Sequence, residues 1–378
     1  MDFQEKLNLL GRSAEYDICV PRPALTVMPA RFDLRHCVST VVGAGGRCIR
    51  LLKVLLSNIC ENDCAYCAFR AGRDVPRAAL QPAELASCFD QMYRAGLVEG
   101  LFLSSGICHH PVREMDRLIA AVEITRLRYQ FRGYIHLKIL PGAEVAQIER
   151  AARLANRIST NIEAPNPERL ARLTRSKAFD RQLMPALAVS SRLFHASGGQ
   201  MTPAGITTQF VVGAAGESDR EILKTSDQLY HGLGLTRIYY SAFHPIPDTP
   251  LEDHPPTPAL RELRLYQSDF LLRQYGFRFE ELVFDENGKL PMEADPKTAW
   301  AKAHPERFPI EVNRADRPTL LRVPGIGPRA ANHILQERRR GRLTDLSHLR
   351  KMGVRVERAA AYILLDGRRP ASQFSLWE

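Results

Sequence analysis

Three cysteines, Cys60, Cys64 and Cys67, fall within eight residues in the segment LLKVLLSNICENDCAYCAFR. An apolar run leads directly into a C-x3-C-x2-C spacing. A strand end followed by a loop lets three thiolates converge on one face of a cubane iron–sulfur cluster. Such clusters ordinarily take four cysteines, so three leave one iron open to an outside ligand. A structural zinc site is the competing reading, but it normally asks for four ligands in two pairs, and only one compact group is present. The other five cysteines, 19, 37, 48, 88 and 108, are scattered. Cys19, Cys37 and Cys48 match no compact ligand set.

The open iron suits S-adenosylmethionine (SAM), whose amino and carboxylate groups can chelate it. The motif, its strand and the units that follow resemble the radical SAM superfamily over roughly residues 45–250. The resemblance implies a [4Fe–4S] cluster, SAM, and a low-potential electron donor. Reductive cleavage of SAM would yield a 5′-deoxyadenosyl radical, so that the cofactor supplies the hard step. It further implies that Tyr66, immediately before the third cysteine, approaches the adenine. Ser104, Ser105 and Gly106 match the family's SAM amino-group motif, although the acid often found there is missing. Asn161 and Glu163 fall where a ribose ligand is expected. Arg175 matches the arginine that grips the SAM carboxylate, a bidentate contact for which a guanidinium is suited. Gln209 points inward from the adenine-side strand. Glu163 could instead cap the next helix, and Arg175 could belong to a charged surface. Cys108, beside His109 and His110, could donate a hydrogen atom, bind a metal or be a plain loop thiol. Arg70, Arg73 and Arg77 follow the cluster motif and could steer a phosphate-bearing substrate or form a solvated basic loop.

These residues need elements to hold them. Apolar runs predict strands over 51–57, 100–104, 134–140, 158–163, 205–213 and 236–241. Helical patterns occupy 82–95, 112–127, 143–154 and 219–233 between them. Pro82 suits a first helical position, and Ser218 with Glu221 forms a capping box. Alternating strands and helices imply parallel pairing. The expected fold class is therefore α/β, a (β/α)6 partial TIM barrel, with its active site at the C-terminal strand ends. A small all-α helix-hairpin-helix domain is expected to follow. The expected divisions are an irregular N-terminal extension over 1–45, the core over 46–250, a connector with a helix at 259–275 over 251–312, and the last domain over 313–370.

The net charge is +10, and its placement matters more than its size. Residues 313–370 hold fourteen Arg and Lys against five Asp and Glu. That surplus of nine leaves about +1 for the rest of the chain, so the positive field belongs to the C-terminal segment. In LLRVPGIGPRAANHIL, Gly325 and Gly327 flank one apolar residue and Pro328 opens a helix. Outward-facing amides at a helix start make an anion site. The pattern resembles the helix-hairpin-helix motif, which grips nucleic-acid backbone. Arg329, Arg338, Arg339 and Arg340 are the expected phosphate contacts, with Arg322 and Arg342 nearby. A weaker second copy, LRKMGVRVERAAAYILL, keeps Gly353 only.

No apolar run approaches a membrane span and no secretory signal opens the chain, so a cytoplasmic monomer is expected. The combination resembles a bacterial group of radical SAM proteins assigned to DNA modification or repair. It implies a radical SAM enzyme acting on nucleic acid, DNA ahead of RNA. A tRNA- or rRNA-modifying enzyme is the alternative. A DNA-binding protein with a structural or redox-sensing cluster is the alternative of another class.

Overall fold

Six parallel strands follow one another in chain order across a single sheet: β2 (Cys48–Leu55), β3 (Gly100–Ser104), β4 (Tyr134–Lys138), β5 (Arg157–Ser159), β6 (Ile206–Val212) and β7 (Arg237–Ala242). One antiparallel strand, β1 (Val38–Val42), adds a seventh at the β2 edge. The protein is described here by a computed structural model over residues 1–15, 37–42, 48–108 and 110–370. Its fold is α/β, a curled seven-stranded half-barrel sheet with helices.

The helices in chain order up to the last strand of this sheet are α1 (Phe3–Glu15), α2 (Pro82–Arg94), α3 (Pro111–Glu123), α4 (Val145–Leu154), α5 (Pro167–Leu173), α6 (Met184–Ala196) and α7 (Asp219–Leu233). Their sequences explain them. In α2, Leu85, Phe89 and Met92 repeat at helical spacing and are buried, while Pro82 opens the first turn. Gln81 and Glu84 close its capping box, and Ser218 and Glu221 do the same before α7.

The sheet also departs from expectation. The N-terminal stretch is not wholly irregular: α1 buries Leu7, Leu10 and Ala14, and β1 follows it. Cys37 packs on α1, and a Cβ placed on Gly11 would lie 2.2 Å from its sulfur. Cys48 sits exposed at the far end of the β1–β2 pair, so the structure does not gather these thiols. Cys19 and His109 lie outside the described residues. The expected strand at 158–163 ends at Ser159; further on, Glu163 takes a left-handed φ of +65° and keeps only an isolated bridge to Phe210.

Chain contacts divide the molecule into two compact units, Met1–Glu217 with Gln228–Pro258, and Ser218–Asp227 with Ala259–Glu378. The stretch expected as a connector therefore belongs with the C-terminal helices. That second unit holds α8 (Ala259–Gln274), α9 (Pro296–Ala303), α10 (Arg317–Arg322), α11 (Pro328–Glu337), α12 (Leu346–Lys351) and α13 (Val356–Ala359). A two-residue parallel pair, β8 (Ile310–Glu311) and β9 (Ile363–Leu364), joins the start and end of its core. No described helix is long and apolar enough to cross a membrane.

Candidate functional site

The cysteine loop leaves β2 and is caged by arginines. Arg77 donates to the carbonyls of Asn58, Phe69, Arg70 and Arg73 at 2.7–3.1 Å. Arg73 donates to Ala68 and Pro247, and Arg70 to Asp63. These three cations spend donors on the backbone around the cysteines, which is a scaffolding use. A loop without ladder hydrogen bonds must satisfy its carbonyls somehow, and the fork of five guanidinium donors does so economically.

Asp63 ties the loop down from the other side. Its carboxylate accepts from Thr174 Oγ1 at 2.5 Å, Ser176 Oγ at 2.8 Å, and the amides of Arg175 and Ser176 at 3.1 Å. Burial opposes its ionisation, but the bonds from Thr174, Ser176 and Arg175 win and hold it well below the usual carboxylate range. Its sign is therefore that of a stabilising carboxylate. The contribution is full above the ordinary aspartate pKa near 4 and is lost as pH falls toward the depressed value. Asp63→Asn in the cluster-free protein is expected to lower the urea midpoint at pH 7, with the gap to the unaltered protein closing below about pH 4. A gap independent of pH would contradict this.

Cys64 is buried, and Cys60 and Cys67 are half-buried. Burial pushes the Cys67 thiol up to about 12, with the neighbouring Cys64 adding to it. Cys64 is raised by burial too, against the pull of Lys177. Burying thiols this close together disfavours their thiolates unless a metal takes up the charge. Among the described residues no three His, Cys, Asp or Glu close tightly enough to hold a single metal ion. A cubane asks for wider spacing, since each cysteine binds a different iron. Three neighbouring thiols on one loop, whose charged forms burial disfavours, are a donor set whose chemistry an iron–sulfur cluster would satisfy.

Beside them lies a buried ion pair. Glu163 Oε1 and Lys177 Nζ are 2.9 Å apart, with side chains 6% and 10% exposed. Lys177 also donates to the Tyr66 hydroxyl at 3.3 Å. Burial alone would favour the neutral amine, but Cys64 and Glu163 reverse this and hold Lys177 protonated above the ordinary lysine range. Glu163 does not cap the next helix; Asn166 does, through the Arg169 amide. Arg175 is exposed, and its amide serves Asp63. The cation buried against Tyr66 is Lys177, which the sequence reading did not single out. Its signal was there: two residues past Arg175, in the same RLTRSK stretch.

The Ser104–Gly106 turn meets the cysteine loop edge-on. Gly106 N donates to Ser57 O at 2.7 Å. A Cβ on Gly106 would lie 2.4 Å from the Ile59 carbonyl and 3.1 Å from Cys60 Cβ. Glycine is required here for close approach, not for its φ. Gly106→Ala is expected to displace Cys60, cost about 1–3 kcal/mol, and cut reconstituted iron several-fold. Iron and sulfide assays with a thermal melt check this; a variant with full iron content would refute it.

Ser104 is buried at the end of β3. Ser105 Oγ donates to Glu114 Oε1 at 2.7 Å, and Arg117 holds the other oxygen at 3.0 Å. Glu114, from α3, is therefore a buried acid on this turn. It was invisible in the turn's own sequence because it lies nine residues downstream. Cys108 is half-buried past the turn, its thiol raised by burial and by Glu61 and Glu114. Asn161 and Gln209 line a small cavity inside the half-barrel with Phe102, His136, Lys138, Ser159, Thr207, Thr208 and Tyr239.

The C-terminal unit is built on two short helix pairs. α10 turns into α11 through Gly325 (φ +84°), and α12 turns into α13 through Gly353 (φ +85°). The first turn docks on the second pair. The Arg355 amide donates to Gly325 O at 3.0 Å, and a Cβ on Gly325 would lie 2.4 Å from Arg355 O. Ile326 is fully buried in the unit's core, worth roughly 1.5–3 kcal/mol. Its carbonyl accepts from the buried Lys297 at 2.6 Å, so α9 is part of this turn's support. Burial lowers Lys297 to about 7. Gly327 and Pro328 open α11 with no side-chain cap.

The arginines here divide by use. Arg338 donates to the carbonyls of Val312 and Ala315, and Arg340 pairs with Glu337. Arg322 pairs with Glu281 and lies 3.7 Å over the Phe277 ring, and Arg342 pairs with Asp366. Arg338 and Arg322 thus hold the unit together instead of standing free. Arg329 and Arg339 are exposed.

A half-barrel whose second strand runs into a loop carrying three cysteines, one buried and two half-buried, defines a class. Residues 54–229 match the Radical SAM superfamily, and the chain carries a radical SAM domain there. Solved structures of similar fold include the FeFe-hydrogenase maturase HydG from Carboxydothermus hydrogenoformans, 18% identical, covering 58% of this chain and 50% of that one, TM-score 0.44. Methylornithine synthase (PylB) is 18% identical, covering 58% and 60%, TM-score 0.46. The cobalamin-dependent radical enzyme OxsB is 13% identical, covering 83% and 51%, TM-score 0.37. The chain spans about half to three fifths of these proteins. No curated protein matched the chain.

Proposed function

We propose that this protein is a radical SAM enzyme that modifies or repairs nucleic acid, with DNA as substrate ahead of RNA. The radical SAM domain implies a [4Fe–4S] cluster held by Cys60, Cys64 and Cys67, and SAM as its partner. When bound, the pair supplies a carbon-centred radical for hydrogen abstraction. The chain's own residues do the rest. Arg77 and Asp63 fix the cysteine loop, and Tyr66, Glu163 and Lys177 present a polar, charged wall beside it. The half-barrel supplies the enclosed interior that keeps a reactive radical from water.

One observation carries the substrate: an uncapped helix start after a glycine turn, in a segment with a surplus of nine positive charges. This supports backbone contacts, which hold a nucleic acid without reading its sequence. Gly325 shapes the turn, and Gly327, Arg329 and Arg339 are the contacts this reading favours. A base inside a duplex would have to be flipped out or offered single-stranded. The enzyme is read as a cytoplasmic monomer needing a low-potential electron donor. Anaerobically reconstituted protein with SAM, reductant and DNA should yield an altered nucleoside by mass spectrometry. Unchanged nucleosides across DNA and tRNA would count against the proposal, and conversion of tRNA alone would move the substrate to RNA. Arg329→Ala should weaken DNA binding and flatten the log–log salt slope by about 0.9.

A further inference from the structure

The Gly325–Gly327 turn rests on a buried cation. Lys297, on α9, is 7% exposed, and its Nζ donates to the Ile326 carbonyl at 2.6 Å. That is the one hydrogen bond its ammonium makes among the described residues, although it has three donors to place. Nζ also lies 4.7 Å from the centroid of the Tyr275 ring. Among the described residues no carboxylate pairs with it. The nearby acid, Asp295, caps α9 through the Thr298 amide and is paired with Arg358 of α13. The other charges that act on Lys297, Arg358 and Arg322, are cations. An enclosed ammonium with one carbonyl, an aromatic face and no counter-ion is a costly support. A neutral donor would satisfy the carbonyl as well.

The peptide that joins Ile326 to Gly327 gives the cation a use. It is trans, so its C=O and N–H lie in one plane and point opposite ways. Holding the carbonyl inward therefore aims the Gly327 N–H outward. That N–H has no hydrogen-bond partner among the described residues, and Gly327 opens α11 without a side-chain cap. A cation on the carbonyl also polarises the peptide and strengthens its N–H as a donor.

We infer that Lys297 is a positioning residue for the nucleic-acid grip: its ammonium fixes the Ile326–Gly327 peptide so that the Gly327 amide faces the phosphate backbone, and the phosphate is the counter-charge this ammonium lacks. The inference rests on the reading of this turn as a nucleic-acid contact. Its consequence is a proton linkage. Burial, with Arg358 and Arg322 adding to it against Asp295, lowers Lys297 to about 7 in the free protein. The groups that face it do not titrate there. Asp295 is lowered, since the bonds from Thr298 and the charge of Arg358 outweigh its burial. Tyr275 is raised by burial, and guanidinium groups keep their charge. A phosphate one peptide away, roughly 8 Å from Nζ in an effective dielectric of about 20, favours the ammonium at least about tenfold. The complex thus holds the proton more tightly than the free protein. Affinity is full below about pH 7 and falls as pH rises above it.

The test is the affinity of the full chain for a short mixed-sequence DNA duplex and, separately, for tRNA. Fluorescence anisotropy at constant ionic strength follows it from about pH 6 to about pH 9. The unaltered protein is expected to bind about tenfold more weakly at the upper end. Lys297→Met should match it there and lie about tenfold below it at the lower end. Lys297→Arg keeps a cation throughout, so its affinity should stay high and level. The exposed His333 and His348 remain in both variants, so any slope they add is common to all three proteins. Calorimetry in two buffers of different ionisation heat should show the unaltered protein taking up about half a proton near pH 8, and neither variant any. Proton uptake needs no variant, so the inference stays decidable even where a thermal melt shows a variant unfolded. Binding with no proton uptake, or equal pH slopes in the unaltered protein and Lys297→Met, would overturn the inference and leave the nucleic-acid reading standing. No binding of either nucleic acid at any pH would end both.

Discussion

Cys64→Ala, prepared and reconstituted without oxygen, is expected to show no iron–sulfur chromophore and no 5′-deoxyadenosine above the reductant-only background. DNA binding at fixed salt should stay within about twofold, because the contacts proposed for nucleic acid lie in the other compact unit. Cys64 is the most buried of the three ligands. Two remaining thiols cannot retain a cubane that already lacks a fourth protein donor. The paired readouts separate the functional alternatives. Loss of cleavage with binding retained supports an enzyme with a separate grip on its substrate. Tight DNA binding by the unaltered protein with no SAM cleavage would favour a structural or redox-sensing cluster.

How much of this was legible in the sequence depends on the range of the interaction. The cysteine spacing, the Pro82 helix start and the Ser218–Glu221 box are local patterns, and each appears where the spacing put it. The alternation of strands and helices is a property of short windows, so the parallel order of β2 to β7 followed from it. What was not legible is long-range. Asp63 meets Thr174 across 111 residues and Lys177 meets Tyr66 across the same span. Nothing in CENDCAYC marks its aspartate as the anchor of a distant loop. Glu114 reaches Ser105 from a different element. Arg70, Arg73 and Arg77 looked like a basic loop because composition counts charge, whereas their donors are spent on backbone carbonyls. The same blindness affected Arg338 at the C-terminus. The N-terminal helix carries Leu7, Leu10 and Ala14 at helical spacing, a short signal beside the Pro- and Gly-rich stretch that follows it.

Lys177→Met should be the most damaging substitution that leaves all three cysteines in place. The mutation removes one member of an ion pair whose side chains are about nine-tenths buried or more. Glu163 would then be an uncompensated carboxylate beside the thiolates of the cluster loop, a situation that typically costs 3–5 kcal/mol. A thermal melt should register that loss, and SAM-dependent 5′-deoxyadenosine formation should fall by at least about a hundredfold. The double variant Lys177→Met with Glu163→Gln distinguishes packing from chemistry. Removing both charges together relieves the buried carboxylate, so most of the lost stability should return. If the pair only props up the fold, activity should return with it. If Lys177 and Glu163 form the wall against which SAM is positioned, the double variant should be stable, keep its chromophore and remain inactive. Tyr66 gives the same argument a second handle, since its hydroxyl touches Lys177 at 3.3 Å. Tyr66→Phe removes the hydroxyl's bonds to Lys177 and Glu163 but leaves the ion pair whole, so it should cost about 1–2 kcal/mol and keep the cluster, placing it short of the lysine variant on both scales.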